Sequence, residues 1–179
     1  MLKLFSKFRC ANEGLAAIEF AMLLPVMLTL FLGSIEMTDA LTCKQKVTGL
    51  AATAADLVAQ GKAVATSDLS NVFSAVNSIV YPYPNAGVQI VITSVVDNGS
   101  GGGKVAWSCA QNTSPRAVNS TVAVPAGVIT TGGSVILAEI TYPYTSTVAS
   151  MLKGTTNMAS TFYARPRRSA AVTGPSSCP

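Results

Sequence analysis

One acid interrupts an otherwise uncharged apolar run: Glu19 lies between Leu15 and Ile35, where every other residue is apolar or neutral. An ionised side chain in hydrocarbon costs on the order of 3 kcal/mol by insertion scales, so this carboxylate needs a neutralising partner. The other acids offer no catalytic pairing. Glu36, Asp39, Asp56, Asp68, Asp97 and Glu139 are scattered singly, and Glu13 precedes the run. Histidine is absent, which removes the commonest general base and the commonest metal ligand together. No CxxC, HExxH, GxSxG or phosphate-loop pattern occurs. The stretch Gly99-Ser100-Gly101-Gly102-Gly103 lacks the Lys-Ser/Thr ending of a phosphate loop and reads as the tip of a hairpin. Enzyme, metal and cofactor functions are therefore not expected.

The element that positions Glu19 is a helix. Leu15 to Ile35 is 21 residues, about 30 Å at a rise of about 1.5 Å per residue, which matches the core of a bilayer. Lys3, Lys7 and Arg9 precede it and should hold that end in the cytoplasm, so that everything after Glu36 is expected on the other side of the membrane. The run is too long for the core of an ordinary secretory signal, and the residues after it, Gly33-Ser34-Ile35-Glu36-Met37, do not form a small-x-small cleavage site. A plain signal anchor fits the length but leaves Glu19 without a purpose. A type IV prepilin-like leader accounts for it. A membrane peptidase cutting between Gly14 and Leu15 frees an amine on Leu15, and Glu19 becomes the fifth residue of the product. Amine and carboxylate then neutralise each other within a chain or between neighbouring helices.

The run Gly14-Leu15-Ala16-Ala17-Ile18-Glu19-Phe20-Ala21-Met22-Leu23-Leu24-Pro25, followed by Leu30-Phe31-Leu32-Gly33-Ser34-Ile35-Glu36, resembles the opening of TadE-like proteins, minor pseudopilins of the tight-adherence (Flp) pilus system. The resemblance covers about 25 residues at the amino end. Beyond them it is loose, carried by Trp107-Ser108-Cys109, Tyr142-Pro143-Tyr144 and the basic ending at Arg165-Pro166-Arg167-Arg168. It implies cleavage at Gly14/Leu15, with Glu19 and the neighbouring Phe20 setting helix register in assembly. The implied partners are a prepilin peptidase, other pilins and pseudopilins of the system, and inner-membrane lipid. The larger relative with a von Willebrand-type domain is excluded by length and by the missing Asp-x-Ser-x-Ser motif. The major pilin, short and nearly all helical, is a poor match.

The apolar spacing continues past the bilayer through Leu41, Val47, Leu50, Ala54, Leu57 and Val58, with Gly61 as terminator. Pro25 bends the membrane half. A second helix is predicted from Ser67 as cap through Leu69, Val72, Phe73, Val76 and Ile79, ending before Tyr81-Pro82-Tyr83-Pro84. From Val88 the period falls to two: Val88, Ile90 and Ile92, then Val105, Trp107 and Cys109 beyond the glycines. Ser134 to Tyr144 and Thr161 to Arg165 are further strands, with a short helical piece near Thr147 to Leu152. The expected fold is α+β: a long amino-terminal transmembrane helix continuing into a pilin-like domain with a second helix and a three- to four-stranded antiparallel sheet. The expected divisions are a leader at 1–14, a transmembrane helix at 15–36, an exported domain at 37–172 and a tail at 173–179.

Cys10 leaves with the leader, and Cys43, Cys109 and Cys178 remain. Three pairings are open, as is a fully reduced state. Cys109 with Cys178 is favoured, because both lie far from the bilayer and a bridge would pin the polar tail; Cys43 would then be the odd thiol. The basic residues divide between the two ends without interleaved aromatics, which argues against nucleic acid as a partner. The Tyr-Pro segments at Tyr81 and Tyr142 could form a recognition face, though core or rim positions are the commoner fate of such tyrosines.

Overall fold

The computed structural model describes residues 14–146 and 155–179. In chain order the elements are α1 (Leu15–Ala59), α2 (Thr66–Ile79), β1 (Gln89–Asp97), β2 (Gly103–Gln111), β3 (Thr121–Val122), β4 (Ser134–Thr145) and β5 (Thr155–Ala164). The chain divides into two compact units, one reaching Asp39 and one running from Ala40 to Pro179.

In the first unit α1 is apolar on every side and continues through Pro25. Its few hydroxyls are satisfied by the helix itself: Thr29 donates to the Val26 carbonyl at 2.8 Å, Ser34 to Phe31 at 2.7 Å and Thr38 to Ser34 at 2.8 Å. Back-bonding of this kind leaves no hydroxyl hydrogen requiring water.

In the second unit α1 buries one stripe, Cys43, Val47, Leu50, Ala51, Ala54, Ala55, Val58 and Ala59, at the three-to-four spacing of a helix face. The small residues in that stripe allow close packing. The helix stops at Ala59, before Gly61. The second helix begins at Thr66 with Ala65 as its cap, which corrects the expectation that Ser67 caps it. Asp68 explains the shift, since its carboxylate reaches back one turn to take the Ala65 N–H at 2.9 Å. Leu69, Val72, Phe73 and Val76 form the buried face of α2.

The five strands pair antiparallel in the order β3-β2-β1-β4-β5. The sheet therefore has five strands where three or four were expected, and β3, at two residues, is too short to show a period. Asn98 shapes the β1–β2 tip by accepting from the N–H groups of Ser100 at 2.8 Å and Gly102 at 3.0 Å, while Gly99 and Gly101 supply positive φ. Strand β5 starts at Thr155, six residues before the expected Thr161, because β4 is long enough to pair with all of it. The helical piece expected near Thr147 to Leu152 lies outside the described residues.

Alternation places two apolar layers on the sheet. Ile90, Ile92, Ile136, Ala138, Ile140 and Tyr142 face the helices, while Val95, Val105, Val135 and Leu137 form a smaller cluster on the other face, closed by Val122, Val128, Ile129 and Tyr163.

Candidate functional site

Gly14 precedes α1 and Leu15 opens it. Among the described residues a Cβ built on Gly14 would meet nothing within 4 Å. Leu15 and Glu19 are four residues apart on one helix, which stacks them on the same face with an axial offset of about 6 Å. The first turn thus carries the two groups that the cleavage reading requires. Glu19 is exposed, and among the described residues it makes no hydrogen bond or ion pair. Around it the large apolar side chains are also exposed, from 39% at Leu24 to 74% at Met22, with Phe20 at 58%. This stretch belongs to a helix long and apolar enough to cross a membrane. Apolar surface on every side of a helix has two physical homes, lipid or other helices.

The three described cysteines lie in the second unit. Cys109 on β2 and Cys178 near the carboxyl terminus are joined by a disulfide across 69 residues. Cys43 is buried in the α1 stripe, beside Lys46, Val47, Leu50, Val80, Tyr83 and Tyr142. Cys10 lies outside the described residues. The bridge does not hold the carboxyl-terminal stretch alone. Trp107 Nε1 donates to the Val172 carbonyl at 2.8 Å, Thr66 Oγ1 to Ser177 at 2.7 Å, and Val64 N–H to Thr173 at 3.0 Å. Gly174 lies flat on the Trp107 ring, where an added Cβ would stand 2.3 Å from Cγ.

The Tyr-Pro segments separate. Tyr142 and Tyr144 are buried on the helix face of β4, with Tyr83 tilted against them at centroid distances of 6.1 and 6.3 Å. Tyr81 alone is presented to solvent, at 79%. Sequence reasoning did not single out three polar arrangements. Arg116 grips Glu139 through Nε at 2.8 Å and Nη2 at 2.7 Å, and this hydrogen-bonded carboxylate pushes the guanidinium pKa up. Asp97 accepts from the N–H groups of Gly132 at 2.8 Å and Gly99 at 3.0 Å, bonds that hold its carboxyl below its ordinary range. Lys44 donates to the Ala159 carbonyl. Each links positions far apart in the chain except Asp97 with Gly99, where Asp-x-Gly at a hairpin end was the available signal. Among the described residues no cluster of three or more His, Cys, Asp or Glu forms.

No curated protein and no solved structure matches the chain. Residues 14–56, which open at Gly14 and include the whole exposed apolar stretch and most of the buried α1 stripe, match the TadE-like protein family, as a TadE-like protein of the Tad/Flp pilus system would.

Proposed function

We propose that this chain is a minor pseudopilin, processed after Gly14 by a prepilin peptidase and drawn from the inner membrane into an assembling Tad/Flp pilus that serves surface adhesion. The family match implies a role in the Tad pilus system and interaction with its other components. What carries the finer reading is the start of α1, where Leu15 and Glu19 share a face at the head of its exposed apolar half. In this reading residues 1–14 are the leader, 15–36 span the membrane with the amino end cytoplasmic, 37–172 form the exported domain and 173–179 the carboxyl-terminal stretch. Cleavage replaces a peptide N–H by an ammonium, and the ammonium of one subunit pairs with Glu19 of its own or a neighbouring helix. Phe20 and the apolar residues up to Ile35 exchange lipid for other helices as the subunit leaves the bilayer. The chemistry done by the chain is pairing and packing.

Mass spectrometry of the amino terminus in cells with and without the prepilin peptidase tests the cleavage. A product beginning at Leu15 only when the peptidase is present is the expected result. An intact Met1 end in both overturns processing and leaves a tethered assembly factor. Glu19→Ala should leave membrane insertion unchanged and lower incorporation into pili on the order of a hundredfold, the equivalent of about 3 kcal/mol for a broken desolvated pair. Normal incorporation of that variant removes the proposed role of Glu19.

A further inference from the structure

Among the described residues strand β5 is an edge strand, paired with β4 and with no strand beyond it. Natural edges are shortened, bulged or charged, because a row of unpaired N–H and C=O groups recruits other strands. Here none of those devices lies in the strand itself. Its ten residues Thr155–Ala164 run in unbroken register with β4, and they contain no charge and no proline.

The direction of its backbone groups follows from the ladder. Asp97 N–H bonds to the Gly133 carbonyl just before β4, and Val105 exchanges bonds with Asn119 and Ser120 on the side away from β1. Odd-numbered residues of β1 therefore bond to β4, and alternation leaves even-numbered residues of β4 facing even-numbered residues of β5. Pro143 agrees, since an odd position in β4 asks for no N–H toward β5. The N–H and C=O groups of Thr155, Asn157, Ala159, Thr161 and Tyr163 point outward. One of these carbonyls, that of Ala159 at the middle, receives the Lys44 ammonium from α1. Beside the row Phe162 is 39% exposed, an apolar ledge at the rim of the sheet.

We propose that this edge docks an extended strand of a partner subunit bearing a carboxylate opposite Lys44. A second copy of this chain fits less well. Full-length antiparallel self-pairing of the outward groups sets Thr155 against Tyr163, Asn157 against Thr161 and Ala159 against itself, which brings two Lys44 ammoniums to one point. A carboxylate there turns the same lysine into a selective contact. Only the naming of the partner as a pilus-system subunit rests on the function proposed above.

The test uses the full chain in detergent micelles and two synthetic nine-residue peptides, alternating Thr and Val around a central Glu or a central Lys, read by amide hydrogen exchange. The expected result is protection of Asn157, Thr161 and Tyr163 by the Glu peptide, at an affinity about tenfold above that of the Lys peptide. Lys44→Glu, which changes no residue of β5 and removes only the contact to the Ala159 carbonyl, should invert the preference. Thr161→Pro removes an outward N–H outside the β4 ladder and should abolish protection by either peptide. The proposal is overturned if no β5 amide gains protection, if both peptides bind alike to wild type and to Lys44→Glu, or if the outward amides of the chain alone become protected as its concentration rises, which would place a second copy on the edge. Neither Gly14 nor Glu19 enters this measurement, so it fails or succeeds independently of processing.

Discussion

The two halves of α1 are one regular helix built for opposite surroundings. From Leu15 to Ile35 the helix is apolar all round but for Glu19 and its large side chains are exposed, while from Ala40 to Ala59 it carries a single buried stripe. The backbone is the same in both, so side-chain distribution alone decides where each half is stable. A stripe is completed by its own domain, as Cys43, Val47 and Leu50 are. A helix without a polar face is completed by something outside its own domain, and the family match over residues 14–56 includes that exposed segment.

Substitutions in the two regions should therefore divide cleanly, and the largest effect falls in the second unit. Cys178→Ala opens the bridge that spans 69 residues and should lower the unfolding free energy of the outer unit by about 4 kcal/mol in the chain-entropy account. Denaturant titration of the full chain in micelles measures it. Leu50→Ala, at a side chain with no exposure, should cost about 3 kcal/mol in the same titration. Phe31→Ala, in the exposed half, should change that transition by less than about 0.5 kcal/mol. A Phe31→Ala loss comparable to that of Leu50→Ala would mean that the amino half contributes to the outer core, and the division drawn here would fail. Gly174→Ala sharpens the contrast within the second unit. A methyl pressed into the Trp107 ring should cost roughly 1–3 kcal/mol by overpacking, whereas Gly33→Ala, where a Cβ meets nothing within 4 Å, should leave the same transition unchanged.

Legibility in the sequence followed the range of the signal. The 3.6-residue period announced both helices and the two-residue period announced β1 and β2, because each rests on neighbours in the chain, and Ser134 to Tyr144 was recognisable as a further strand. The α2 cap was misplaced by two residues because Thr66, Ser67 and Asp68 all resemble caps, and only the folded arrangement gives Thr66 to Ser177 and Asp68 to the Ala65 amide. Strand β3 and the first half of β5 escaped because Thr-Val and Thr-Thr-Asn-Met-Ala-Ser carry no alternating apolar pattern; their partners in β2 and β4 make them strands. Lys44 on Ala159 and Arg116 on Glu139 are pairings across long separations, and no local spacing encodes them. The Gly14 to Glu19 segment was readable for the opposite reason, since an acid in an apolar run is conspicuous without any fold.

Asp97 and Glu19 extend the comparison to two carboxylates, and they yield the smallest predicted effect. Asp97 has both oxygens occupied by backbone N–H groups of its own unit, Gly132 and then Gly99 in order of influence, and its pKa lies below the ordinary value of 3.8. A carboxyl depressed in the folded state stabilises fully above its unfolded value, and that contribution disappears as pH falls through the lower folded value. The outer unit should accordingly lose a small part of its thermal stability below about pH 4. In Asp97→Asn that part is absent at neutral pH, because the amide nitrogen cannot accept the second N–H, and the acid limb of the profile should be correspondingly flatter. Melting temperatures of the two proteins between neutral and acid pH should converge as the wild-type carboxyl protonates. Parallel profiles with a constant gap would show that the loop is held by its glycine conformations and not by the charge on Asp97.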